Sequence, residues 1–227
     1  MKLEFKKSIS NKILMTLSIL FVFSFLLGYF LPVGIDKVTN LDYPKYFFSA
    51  YTVLTEFGFL LFSFIISYFI NKEYSNKSLL FYKLIKENIY SFFYKKASIL
   101  FLESLAIIVV GITIISMVFS DFSHYFFLII MFLLVVLQYI LVVGTISIVY
   151  WIASIILVAI NKEMFGFLAP FEASNSMYVS VEKVLNGEIP TINLHDVLTI
   201  ALFFTFVFIV NFIVLGLSKK RWLKLGL

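Results

Sequence analysis

The stretch Tyr125–Ile160, YFFLIIMFLLVVLQYILVVGTISIVYWIASIILVAI, is 36 residues long and contains no charge. A membrane-spanning helix needs about 20 apolar residues, because the hydrocarbon core is ~30 Å thick and each residue rises ~1.5 Å. As one helix this run would be about 54 Å long, well beyond one ordinary span. Val143-Gly144-Thr145 lies near its middle. That tripeptide predicts a tight turn between two short spans, whose outer limits stretch to Phe122 and Phe165. Whether the run counts once or twice fixes the topology.

Four other runs, Ile13–Leu31, Phe47–Ile70, Ala97–Phe119 and Val197–Leu217, each have the length of one span. Of the 227 residues, 62% are hydrophobic and 14% charged. Soluble domains are closer to half apolar and a quarter charged. So much apolar surface cannot be hidden from water at this chain length, so lipid is the solvent. The chain has no cysteine, which excludes disulfides, thiolate metal sites and a cysteine nucleophile. Lys2, Lys6, Lys7 and Lys12 ahead of the first run give it the look of a signal peptide. The run is too long for that and no small-x-small cleavage site follows, so it reads as an uncleaved span.

Charge decides between five and six spans. With six spans and the N-terminus inside, the inner pieces hold Lys2, Lys6, Lys7 and Lys12, then Lys72, Lys77, Lys83, Lys86, Lys95 and Lys96, then Lys219, Lys220, Arg221 and Lys224. The outer pieces hold only Lys37, Lys45, Lys162 and Lys183. This is the asymmetry that the positive-inside rule requires, and five spans would place the Lys219-Lys220-Arg221 cluster outside. The prediction is therefore an all-α membrane protein with both termini cytoplasmic. Its single domain covers 1–227, with spans at about 13–31, 47–70, 97–119, 123–143, 145–165 and 197–217. Pro32 is expected to close the first span. In the outer segment, 166–196, Met177, Val181, Val184 and Leu185 have helical spacing and predict a short amphipathic or re-entrant helix, turned by Asn186-Gly187. His124 and His195 fall on outer segments and read as interfacial residues, with no metal site expected.

Two carboxylates, Glu56 and Glu103, lie inside spans. A charge there costs at least ~2.5–3.5 kcal/mol, so each must face the bundle interior or water, or be protonated. Either can line a substrate path or bind cationic cargo. Alternatively, Glu103 snorkels toward Lys95 or Lys96, and Glu56 pairs with a polar group such as Gln138, the lone polar residue of the fourth span. No Gly-x-x-x-x-Gly-Lys-Ser/Thr, Gly-x-Ser-x-Gly or His-Glu-x-x-His pattern occurs. No catalytic residue is expected, and ATP cannot be bound through a P-loop.

Between the second and third spans, Phe81, Leu84, Ile85, Ile89, Phe92 and Phe93 recur at helical spacing among lysines. They predict an amphipathic helix over about 79–94 along the inner membrane surface. Ahead of it the second span runs through Glu73 and Lys77 to Ser78, and Lys95-Lys96 opens the third. This order resembles the type-2 ABC transporter permease subunits. In that family a Glu and a Thr or Ser precede a leucine-rich coupling helix, and a basic residue follows it. Glu73 and Ser78 match those two positions, and Leu79-Leu80 with Leu84-Ile85 match the leucines. Residues 2–12 are similar to the family's elbow helix, and Leu168-Ala169-Pro170-Phe171 to its Pro-Phe element. The chain departs from the pattern at Lys77, where Gly is usual, and at Lys86-Glu87-Asn88, where a Pro is usual.

The resemblance implies a cytoplasmic ABC ATPase as partner, a second copy or related permease beside this one, and ATP used only through the ATPase. Glu73, Lys77, Ser78, Leu80, Lys83, Leu84 and Ile85 would engage that ATPase. Glu56, Glu103 and Gln138 would line the path. The expected function is a bacterial cell-membrane exporter of a peptide or other amphiphile, for export or self-immunity. The alternative is a non-transporting immunity or assembly protein. Lipid is the remaining partner, and no nucleic acid is expected.

Overall fold

The computed structural model describes residues 2–10, 12–35, 37, 39–55, 58, 65, 68, 88–160, 181–187 and 194–224. All regular structure among them is helical: α1 (Lys2–Ser10), α2 (Ile13–Gly34), α3 (43–55), α4 (Ile89–Phe119), α5 (Tyr125–Ile160), the short α6 (181–185) and α7 (Leu194–Lys224). Ile13–Gly34, Ile89–Phe119 and the Val197–Leu217 part of α7 are each long and apolar enough to cross a membrane.

Three boundaries differ from the sequence reading. The expected turn at Val143-Gly144-Thr145 is absent, because α5 runs unbroken through it. A glycine inside a helix costs about 1 kcal/mol relative to alanine. Ending a helix within lipid would strand several N–H and C=O groups, each costing several kcal/mol. The 123–143 and 145–165 spans are therefore not separate helices over the described residues. Residues 89–94, expected at the end of the interfacial helix, are the first turns of α4. Residues 79–87 lie outside the described residues. Pro32 does not close α2 but sits within its last turn, and the helix reaches Gly34.

Helix ends follow local chemistry. Asn88, extended at φ −83°, accepts from the Tyr90 N–H with its side chain and so starts α4. Ser120 stops it in the left-handed conformation at φ 54°, its N–H reaching the carbonyls of Met117 and Ser116. Asp121 Oδ1 then accepts from the Ser123 N–H at 2.8 Å. Hydrogen bonds from the Ser123 hydroxyl and N–H hold the Asp121 carboxyl below the usual carboxylate range. α5 starts immediately afterwards, so α4 and α5 form a tight antiparallel hairpin, tied by the Thr113–Tyr125 hydroxyl pair at 2.7 Å.

Side-chain contacts give the helix directions. Ser8, at the end of α1 just before α2, meets Glu103, and Phe25 within α2 meets Gly111 further along α4, so α2 runs parallel to α4. Tyr90 stacks on Phe212 and Tyr94 on Phe208, so α7 runs antiparallel to α4. α3 descends beside α5: Tyr51 packs on Phe132, and the Tyr139 hydroxyl reaches the carbonyls of Leu54 and Thr55 at 3.0 and 2.6 Å. The starts of α2 and α4 and the end of α7 thus share one end of the bundle, called the near end below. The far end holds Gly34, Phe119 and Tyr125.

The core is aromatic. Phe21, Phe25, Tyr43, Tyr46, Phe47, Tyr51, Phe132 and Tyr139 are buried in one cluster, which Val181 and Leu185 of α6 join. α6 forms where the apolar spacing predicts a helix, and Gly187 turns the chain at φ 77°. In lipid the drive for helix association is close packing rather than water exclusion. Gly28 supplies the closest approach: a Cβ there would lie 2.6 Å from Ala50 Cβ and 2.7 Å from its Cα. Gly28→Ala is expected to destabilise the protein by about 1–3 kcal/mol, because the clash is with backbone. Gly111→Ala should cost less, since its added carbon meets only the edge of the Phe25 ring. Thermal unfolding in detergent checks the order.

Candidate functional site

The buried face of α4 carries Ile89, Phe92, Phe93, Lys96, Ile99, Leu100, Glu103, Ser104, Ile108, Ile112 and Ser116. Helical spacing sets this stripe against the other helices, and Lys96, Glu103, Ser104 and Ser116 interrupt it with polar groups. Glu103 is 2% exposed and Ser104 fully buried. Across from them is Ser8 of α1, also fully buried.

α1 reaches this position through its connection to α2. Lys12 takes the left-handed conformation at φ 60° and breaks the helical path between them. Phe5 and Ile9 remain exposed, while Ser8 turns inward. Its hydroxyl donates to Glu103 Oε2 at 2.8 Å. The other carboxylate oxygen, Oε1, and the Ser104 hydroxyl are buried and have no hydrogen-bond partner among the described residues. Buried polar atoms without partners are uncommon and mark places where a structure has not been optimised for stability alone.

The alternative in which Glu103 snorkels toward Lys95 or Lys96 is not what the structure has. Lys96 lies seven residues earlier, about 10 Å along the same face. It is buried, with its Nζ 5.1 Å from the Phe92 ring centroid. The carboxylate reaches across to α1 instead. Gln138 is buried in α5, as a lone polar residue in lipid would have to be. Its neighbour Tyr139 is bonded to the carbonyls of the two residues before Glu56. Glu56 itself lies outside the described residues, as do Glu73, Lys77, Ser78, Leu80, Lys83, Leu84 and Ile85. Among the described residues no group of three or more His, Cys, Asp or Glu is placed to hold a metal ion.

Sequence reasoning missed Ser8 and Ser104. Ser8 and Glu103 are 95 positions apart, and no pattern joins them. Only the helical spacing of Glu103 and Ser104 with the apolar stripe of α4 signals that both face inward.

A model described as the peptide export permease protein YydJ family matches residues 1–227. The chain belongs to that family. A curated relative, the probable peptide export permease protein YydJ of Bacillus subtilis (strain 168), is 56% identical over 240 residues, covering 100% of both chains. No solved structure matches. Family membership and the long apolar helices together make the chain a multi-pass membrane protein. For a family member, the polar cluster of Ser8, Glu103 and Ser104 is the most conspicuous departure from an apolar interior among the described residues.

Ser8→Ala removes a hydrogen bond to a carboxylate, a type of bond worth roughly 1.5–3 kcal/mol, and leaves the acceptor buried. It is expected to lower the melting temperature. Adding Glu103→Met to Ser8→Ala removes the buried acceptor as well as its donor and should restore or raise that temperature. Calorimetry on the two variants checks the contrast.

Proposed function

We propose that the chain is the membrane-spanning subunit of an ATP-driven peptide exporter in the cell membrane, with its ATPase on a separate cytoplasmic partner. The match over the whole chain to a peptide export permease family is the observation that carries the permease reading. The relative named a probable peptide export permease agrees with it at 56% identity. In this reading two permeases, identical or related, form the path, and both termini of each lie on the cytoplasmic side.

The helix directions support an even number of crossings, because α2 starts and α7 ends at the near end. The near end also carries the basic segments at 2–12, 95–96 and 219–224, which favours assigning it to the cytoplasm.

Coupling rests on α4. It is unbroken from Ile89 to Phe119, directly after the lysine-rich segment that would engage the ATPase. Ile89, Phe92 and Phe93 pack with Leu215 of α7, and the Tyr90–Phe212 and Tyr94–Phe208 stacks join the same two helices. A force delivered at residues 79–88 would travel up a stiff rod to Glu103 and beyond, carrying α7 with it. Charge complementarity from Lys77, Lys83 and Lys86 would steer the docking.

Two experiments test the reading. Leu84→Asp with Ile85→Asp should abolish co-purification with the cognate P-loop ATPase and ATP-dependent peptide uptake into inside-out vesicles, while expression persists. Retained coupling in that variant would remove the proposed lever. The cysteine-free sequence allows clean labelling of single cysteines. In intact cells a membrane-impermeant maleimide should modify Ser123→Cys at the far end, and reach Ser10→Cys only after permeabilisation. The opposite pattern would reverse the orientation.

A further inference from the structure

We propose that Glu103 and Ser104 form an intramembrane site for a protonated amine, a lysine side chain or free N-terminus of the transported peptide, with α1 as its near-end cover. The inference rests on the peptide-export reading and adds the chemistry of what the path recognises.

The Ser8 hydroxyl occupies Oε2 of Glu103; among the described residues Oε1 has no partner, and the Ser104 hydroxyl is likewise unbonded. Both residues are buried on the same turn of α4. A half-satisfied carboxylate inside a membrane bundle is expensive. A glutamine would keep the Ser8 bond without an ionisable group, so the carboxyl calls for an explanation beyond holding α1. An ammonium group supplies what is missing. It carries positive charge for the carboxylate and three donors, one for Oε1 and one for Ser104 Oγ. A guanidinium fits less well, since its planar fork is suited to both oxygens of a carboxylate, and Ser8 already holds one.

The chain's own nearby cation does not fill the place, because Lys96 sits two turns away over the Phe92 ring. α1 supplies a route in. It is a nine-residue arm joined to α2 through the left-handed Lys12. Its Phe5 and Ile9 face outward, and Ser8 closes on the carboxylate. Swinging about Lys12 would uncover Glu103 from the near end.

The test uses full-length permease in nanodiscs of zwitterionic lipid, so that anionic headgroups cannot attract the probe. The probes are three acetylated, amidated pentapeptides, Leu-Leu-Xaa-Leu-Leu, with Lys, Arg or Gln at the centre. The Lys peptide is expected to bind at least roughly tenfold tighter than the Gln peptide, with the Arg peptide between them. In Glu103→Gln, which keeps an acceptor for Ser8, the preference should fall below about twofold, and in Glu103→Asp it should persist. Equal binding of Lys and Gln peptides to the unmodified protein would overturn the proposal. So would a preference that survives Glu103→Gln.

If Glu103→Gln does not fold, competition on the unmodified permease decides. Butylammonium should displace the Lys peptide where butanol does not, and equal effects would sink the site. Lys preference without ATP-dependent transport would leave the site standing and remove the exporter reading. Transport without the preference would do the reverse.

Discussion

In a hydrocarbon environment every backbone N–H and C=O must find its partner within the protein, and most of this structure follows from that demand. It makes unbroken helices cheaper than turns, even where a glycine invites one. α5 passes straight through Gly144, and α2 carries Pro32 in its last turn, where few of its backbone bonds are at stake. The turns among the described residues come at segment ends: the Asn88 side chain takes the Tyr90 N–H ahead of α4, and the backbone N–H groups of Ser120 and Asp121 take its last carbonyls.

The same constraint explains what could be read from the sequence. The start of α2 at Ile13, the end of α4 at Phe119 and the start of α5 at Tyr125 fall where the apolar runs begin or stop, because the cost of burying polar groups is written into composition. The all-helical class and the short helix at Val181–Leu185 were legible for the same reason. The first turns of α4 were not. Ile89, Phe92 and Phe93 have the spacing of a stripe lying on lipid, yet they face Leu215 of α7. An apolar stripe looks the same in sequence whether it meets a lipid tail or another helix.

The candidate site was legible by halves. Glu103 announced itself as a carboxylate in a span, and its inward orientation follows from helical spacing. Its partner did not. Lysines seven and eight residues earlier are the obvious electrostatic choice, but a serine on a different helix holds the carboxylate instead. Long-range contacts of this kind depend on how α1 folds back at Lys12, and that depends on a single backbone conformation. The family match adds the biological setting, peptide export, which no arrangement of apolar runs could supply.

The aromatic stacks between α4 and α7 have a consequence for the C-terminal tail. Two ring pairs, together with a glycine at position 216 that leaves room for the Tyr90 hydroxyl, bind the last helix to the first turns of α4 like a splint. The end of α7 is therefore tied to the start of α4, and in the proposed exporter a tilt of α4 would carry α7 with it.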